Sequence, residues 1–502
     1  MLELQPATFE DFEREALQGN VVPVVRRVLA DLQTPVGAFL RLAHDARHAF
    51  LLESVEGGER VARYSFLGVE PEMIVRGRGA DTFVARRNGE TEELRGVRAT
   101  DFLRGYFRRH KLARRDQLAP FAGGAVGYLA YDAVRWFEPS MADVSAEGES
   151  DEAVLMFFRT VLAFDRVRQQ IEIISVVFTE EAGESRARLR ELYADAVRQT
   201  ESVERKLLES APVHDAARRT TKHAPPQFAS NWARADFERA VETIKEHIAA
   251  GDCYQAVLSQ RFTSEVAASP LEIYRALRAT NPSPYMYFLR LGDESIVGAS
   301  PEMLVRCRGA ELEYRPIAGT RPRGANETED ARLGAELRAD EKEVAEHMML
   351  VDLGRNDLGR VAAFGSVEVR ELMSVERYSH VQHLVTSLFA RLRDGADCFD
   401  ALAACFPAGT VTGAPKVRAM QIIGALEPDR RGLYAGAVLY LDYAGNLDSC
   451  IAIRTARIRR GCAEVQAGAG VVADSVPARE YEESVNKARA MLRAIEMAER
   501  GL

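Results

Sequence analysis

The sequence predicts an α+β fold of layered architecture, and two observations carry that prediction. Short apolar runs rich in β-branched and aromatic residues, separated by turn signals, fill the first half of the 502-residue chain. In the second half such runs are interspersed with helical stretches, without the strict strand–helix alternation of a parallel α/β sheet. With 47% hydrophobic and 28% charged residues, the composition is that of an ordinary globular chain. Its length suits two or three domains, or one large intertwined one.

Taken in order, the strand-like runs of the first half are AFLLESV (49–55), RYSFLGV (63–69), GGAVGYLAYDAV (123–134), LMFFRTVLAF (155–164) and IEIISVVF (171–178). The acidic segment SMADVSAEGESDE (140–152) has few large apolar groups and reads as a solvated loop. A helical stretch over 184–209 leads into SAPVHDAARRTTKHAPPQFA (210–229), whose Pro pair and polar clusters read as a linker.

The second half opens with a helix predicted over 235–250, where Phe237, Val241, Ile244 and Ile248 step by four, three and four along one buried face. Gly251-Asp252 stops it, and CYQAVLSQRFT follows as a strand. Further strands are SIVGAS, MLVRCRG, ELEYRPI, YAGAVLYLDY, SCIAIRTARI and AEVQAGAGVV. Between them helices are predicted at about 330–356, 378–393, 414–426 and 479–500.

Charge and cysteine usage exclude several classes of function. A net charge of −9 argues against a nucleic-acid carrier, which needs a basic face. No run of about 18 or more apolar residues appears, so no membrane span is predicted. The opening MLELQPATFEDFEREALQGN has neither a basic n-region nor an apolar core, so no export signal is expected. The six cysteines, Cys253, Cys307, Cys398, Cys405, Cys450 and Cys462, form no C-x-x-C pair and suit reduced thiols in a cytoplasmic protein.

Several groups have the spacing for chemistry. Glu343 and Glu346 lie three apart in one predicted helix, and Glu480 and Glu483 repeat that spacing in another. Each pair projects from one helix face, and two such faces opposed would offer the all-oxygen site that Mg²⁺ prefers. The same spacing also describes solvated faces with internal ion pairs, such as Glu483 with Lys487. His347 lies four residues after Glu343, but no second histidine is spaced for zinc.

In FPAGTVTGAPKVRAMQIIG (406–424) small residues lead into a helix with Pro415 near its first turn; the same pattern fits an anion site at a helix N-terminus or an ordinary turn. QAGAGVV (466–472) ends a strand in glycines that bring backbone N–H groups close to a ligand. Arg454 sits in a strand, where a ligand carboxylate or a protein carboxylate would satisfy it. His380 and His383 lie three apart on the helix predicted at 378–393, as an acid–base candidate or a core pair. Glu302 is a carboxylate set in a turn. EYRPIAGTRPRG (313–324) crowds Arg315, Arg321 and Arg323 into an apparently anion-facing loop around the chemically blank Ala318. Together these parts describe a Mg²⁺ site among carboxylate-binding devices, suited to a small polyanion.

YRPIAGTRPRG, EHMMLVDLGRNDLGRV, FPAGTVTGAPKVRAMQII and QAGAGVVADSVPAREYEE together resemble the chorismate-utilising enzymes, and among them the anthranilate synthase component I family. The likeness is dense over 235–495, and LLES (51–54) and RYSFLG (63–68) are similar to that family's N-terminal region. The fold expected is two large, mostly antiparallel sheets packed together and flanked by helices. The resemblance implies a regulatory and scaffolding region over 1–209 carrying tryptophan-binding elements, a linker over 210–229 and a chorismate-binding catalytic domain over 230–502.

It also implies roles. Glu343 and Glu480 would hold Mg²⁺ directly, and Glu346 and Glu483 through waters. Tyr434, Arg454, Lys487 and the backbone of Gly468, Ala469 and Gly470 would clamp the enolpyruvyl side. Gly319, Thr320 and Thr410 would contact substrate, Glu302 would act as the acid for the departing 4-hydroxyl, and His383 as the base that eliminates pyruvate. Related aminodeoxychorismate synthases carry a nucleophilic lysine where Ala318 stands, so the alanine leaves room for ammonia. Isochorismate and salicylate synthases carry a water-activating lysine at the position of Gln255. Both differences favour anthranilate as product; the runner-up is aminodeoxychorismate synthase component I of folate supply. The chain has no G-x-C-x-G nucleophile turn, so a separate glutamine amidotransferase subunit is the implied ammonia source. The family's L-tryptophan inhibitor site resembles Glu53 and Ser54 with Pro284, Tyr285 and Met286, beside Val438 and Tyr440. In that site Glu53 would take the amino acid's ammonium.

Overall fold

A computed structural model describes residues 3–55, 63–113, 118–141, 150–209, 226–378 and 381–501. Among them two large antiparallel sheets, of 13 and 12 strands, form the centre of the molecule. Both sheets draw strands from both halves of the chain. In the first, His48–Glu53 pairs with Tyr285–Leu291, with Met286 opposite Glu53. In the second, Gly124–Leu129 pairs with Ala437–Asp442, with Tyr128 opposite Val438. The expected linker falls largely on residues 210–225, which lie outside the described residues, as do 142–149 of the expected acidic loop.

Three apolar layers hold the arrangement. Between the sheets pack Phe50, Val126, Phe158, Leu289, Ile296 and Val438. Outside the first sheet the helices Pro270–Thr280 and Pro477–Glu499 contribute Ile273, Leu277, Met491 and Ile495 against Val297 and Val465. Outside the second, Val351 and Leu358 of helix Glu341–Gly359 and Leu402 of helix Cys398–Cys405 pack on Leu388 and Leu439. These burials supply the main favourable term in folding, at about 25 cal/mol per Å².

The helices expected at 184–209, 235–250, 414–426 and 479–500 form as Arg186–Leu208, Arg234–Ala249, Lys416–Leu426 and Pro477–Glu499. The one expected at 330–356 is two, Glu327–Ala339 and Glu341–Gly359, because Asp340 caps the second by accepting from the amides of Lys342 and Glu343.

The helix expected at 378–393 is instead the strand Val381–Arg391. Its residues are buried on both faces, so no two-residue alternation marks it as a strand. It pairs with Glu368–Arg377 on one side and with Ile317–Pro322 on the other. His380 lies outside the described residues.

Two strand-like stretches break where the chain passes from one sheet to the other. SIVGAS belongs to the first sheet and MLVRC to the second, with Pro301-Glu302 at the crossing. SCIAIRTARI divides into Leu447–Ile451 and Thr455–Arg459, with Arg454 at the return crossing at φ 50°. The crossings are tied together: the Ile451 N–H donates to the Glu302 carbonyl and the Ala299 N–H to the Arg454 carbonyl, each at 3.1 Å. Sheet-to-sheet passages thus set an acid and a cation side by side.

Candidate active site

Those crossings open on a cavity of about 540 Å³. Ala318, Gly319 and Thr320 reach it from Ile317–Pro322, and His383 from the neighbouring strand. Helix Glu341–Gly359 contributes Glu343 and Glu346; helix Pro477–Glu499 contributes Glu480, Glu483 and Lys487. Thr410, Tyr434, Gly468 and Gly470 complete the predicted set, and Gln255 lines the cavity as well. Ala469, whose backbone was expected to take part, is fully buried and does not line it. Gly468 is required for its size: a Cβ there would stand 2.7 Å from the Leu258 carbonyl and 3.0 Å from the Tyr434 hydroxyl.

Burial pushes the Glu302 carboxyl up to about 8, against the lowering influence of the Thr410 hydroxyl and the Lys487 and Arg454 cations. It is therefore largely protonated near neutral pH and able to donate. The buried Thr410 hydroxyl has the Glu302 carboxyl as its neighbour and makes no other hydrogen bond. His383, 7% exposed, has its Nδ1 2.8 Å from the Gly319 carbonyl, so Nδ1 carries the proton and Nε2 keeps a free lone pair. Burial lowers its pKa, and Arg454 adds to the effect against the Gly319 bond.

Arg454 has no carboxylate within ion-pairing distance among the described residues; burial disfavours its charge, with Glu302 and Tyr378 partly offsetting. Its side chain is only partly buried and opens on the cavity, so solvent moderates the cost of holding it without a carboxylate. An anionic ligand in the cavity is the partner that would remove that cost.

The carboxylate end shows the strain of like charges. Glu346 is raised by burial and then by Glu343, and Glu480 by burial with Glu483 adding. Lys487 pairs with Glu483 at 2.8 Å. Glu343 accepts from Arg321 at 3.1 Å, and no three acidic, histidine or cysteine side chains among the described residues converge as a ready metal site. His347 is a core residue, its Nε2 2.6 Å from the Thr386 hydroxyl.

The three loop arginines are taken up by the protein's own carboxylates rather than turned to a ligand. Arg315 pairs with Glu376, Arg321 with Asp340 and Glu343, and Arg323 with Asp330. Pro415 is the cap of helix Lys416–Leu426 rather than part of its first turn, and Pro415, Lys416 and Val417 line a separate hollow of about 320 Å³, where Lys416 pairs with Asp357 at 2.8 Å.

A second cavity, of about 520 Å³, collects Glu53, Ser54, Pro284, Tyr285, Met286, Val438 and Tyr440. Its walls mix apolar side chains with Arg63, Arg306 and Asp448, and the Ser54 hydroxyl is buried without a partner. Glu53 differs from expectation as an ammonium acceptor, since Tyr274 (2.6 Å) and Arg278 (2.9 and 3.2 Å) already donate to its two oxygens. Sequence reasoning missed both donors, although their i, i+4 spacing on helix Pro270–Thr280 marks a single face. It also missed Arg321 on Glu343, 22 residues apart, and the pair of Arg306 with Asp448 in the second cavity, 142 residues apart.

The chorismate binding enzyme family matches residues 47–493. Anthranilate synthase component 1 of Acetivibrio thermocellus is 45% identical over 495 residues, 98% of each chain, and that of Pseudomonas aeruginosa is 44% identical over 98% of this chain and 99% of its own. The crystal structure of anthranilate synthase component I from Streptococcus pneumoniae superposes with a TM-score of 0.75 at 35% identity, covering 93% of this chain and 99% of that one. A menaquinone-specific isochorismate synthase from Escherichia coli, 21% identical over 98% of this chain and 99% of its own, shares the fold with a TM-score of 0.68. The chain belongs to the chorismate-binding enzymes, and within them groups with the anthranilate synthase component 1 proteins.

Proposed function

We propose that the chain converts chorismate and ammonia to anthranilate, pyruvate and water, the first committed step of tryptophan synthesis. The observation that carries this reading is the single cavity in which Arg454 without a carboxylate partner, protonated Glu302 and basic His383 stand around the blank Ala318. Arg454, with Tyr434, Lys487 and the Gly468–Gly470 backbone, would bind the enolpyruvyl side of the substrate. Gly319 and Thr320 would contact it from the Ala318 strand. Glu302 would protonate the departing ring hydroxyl, with Thr410 beside it. His383 would take the ring proton at Nε2 as pyruvate leaves.

The four glutamates line one cavity, and a cation among them would offset the burial and like charge that raise Glu346 and Glu480. Glu343 and Glu480, with Glu346 and Glu483 through waters, would hold Mg²⁺, which when bound polarises and anchors the ring carboxylate.

The component 1 name of the relatives implies a second component, which we take to be a glutamine amidotransferase subunit. Six free cysteines suit a cytoplasmic place of work. The second cavity, walled partly by His48–Glu53, would bind L-tryptophan as feedback inhibitor and give the region 1–209 its regulatory part. Purified chain with chorismate, Mg²⁺ and ammonium salt should develop anthranilate fluorescence, and should not when glutamine replaces ammonium. Glutamine-driven turnover by the chain alone would remove the partner from the account; no fluorescence with ammonium would overturn the reading.

A further inference from the structure

Gln255 opens the strand Gln255–Glu265, is 5% exposed and lines the catalytic cavity. Its Oε1 is buried with no hydrogen-bond partner. Gly470 makes room for this side chain: a Cβ at 470 would stand 2.5 Å from Gln255 Nε2. A buried carbonyl oxygen of this kind calls for a donor. Chorismate has a single donor to offer, since its carboxylates and ether oxygen are acceptors, and that one O–H belongs to the hydroxyl that departs in the reaction. Ala318 presents only a methyl.

We infer that Gln255 Oε1 is the acceptor that seats ammonia in the cavity. Ammonia carries three N–H donors and one lone pair, and attack requires the lone pair free. One N–H given to Oε1 fixes the nitrogen and leaves its lone pair for the ring carbon beside the carboxyl-bearing one. The C–N bond forms as the C–O bond to the ring hydroxyl breaks. The hydroxyl leaves as water with the Glu302 proton, and the nitrogen then gives up one proton, which through solvent returns the Glu302 carboxylate to its protonated form. A neutral amide suits this task better than a carboxylate, which would favour ammonium, a species with no lone pair.

The inference rests on the anthranilate-forming reading of the cavity, and kinetics on the whole chain separate the two. With ammonium varied at saturating chorismate, Gln255→Leu should raise KM for ammonium about tenfold while KM for chorismate stays within about twofold. Gln255→Glu restores an acceptor; it should recover ammonium use, with its rate optimum moved to higher pH than the wild type's. An unmoved ammonium KM in folded Gln255→Leu, or equal rises in both KM values, would overturn the role of Gln255 while wild-type turnover stands. Should Gln255→Leu fail to fold, a Gln255→Glu profile identical to wild type would overturn it too. Wild-type chain that makes no anthranilate from ammonium would remove the reading beneath it.

Discussion

At Glu302 the chain buries a carboxyl beside two cations and still holds it protonated near neutrality, since burial outweighs them and pushes it up to about 8. At His383 burial works in the opposite direction, keeping the imidazole neutral below its usual range. Acid and base are therefore both in their working forms between these two titrations. The sign follows: kcat/KM for chorismate should fall as pH rises through about 8, where Glu302 loses its proton. It should fall again in acid only below the ordinary histidine range, where His383 gains one. With free ammonia held constant, a pH profile reads both limbs, and an alkaline limb far from 8 would count against Glu302 as the acid. Glu302→Gln should lower kcat about 100-fold or more and abolish that limb. Neither residue declares this in the sequence. Glu302 is one turn carboxylate among many, and its protonation comes from burial between two sheets that meet only after folding.

Local order was legible wherever a single element carries the signal. Both E-x-x-E pairs lie on helices as their spacing requires, because helix periodicity is local. The break at Asp340 was legible in principle, since Asp followed by two acidic-turn residues is a capping pattern. Val381–Arg391 was not, because Gln382, His383, Thr386 and Ser387 are buried among its apolar residues, so neither alternation nor a continuous apolar run marks it. The crossings at Glu302 and Arg454 were also silent, for a strand that changes sheets reads as one strand until its partners are known. The helix pairs carry a prediction at this scale. If the pairs hold Mg²⁺ as proposed, Glu343→Gln and Glu480→Gln should each lower kcat/KM about 100-fold, since polarisation of the substrate by a bound cation would be worth several kcal/mol. Mg²⁺ titrations of both variants check this, and near-wild-type activity in both would return the pairs to solvated helix faces.

Over the whole molecule the two cavities are connected by the strands that build them. Tyr285–Leu291 walls the second cavity and pairs with Glu294–Ser300, which runs straight into the Glu302 crossing. Ala437–Asp442 supplies Val438 and Tyr440 and pairs with Leu447–Ile451, which leads to Arg454. A ligand that shifted either pair would move Glu302 or Arg454, a physical carrier for the proposed coupling. Tryptophan should therefore raise KM for chorismate, and chorismate should weaken tryptophan binding by the same factor in calorimetry. Ser54→Phe, by filling the pocket beside its partnerless hydroxyl, should relieve inhibition while uninhibited turnover stays within about twofold of wild type. Indifference of the wild type to millimolar-order tryptophan would remove the regulatory reading. The central claim, that the cavity around Ala318 makes anthranilate, is tested most directly by the position of the nitrogen. With ¹⁵N-labelled ammonium, chorismate and Mg²⁺, NMR of the product should place the label on the ring carbon next to the carboxyl-bearing one, with one pyruvate released per label fixed. A product that keeps its enolpyruvyl group and carries the label opposite the carboxyl would contradict the account and point to aminodeoxychorismate instead.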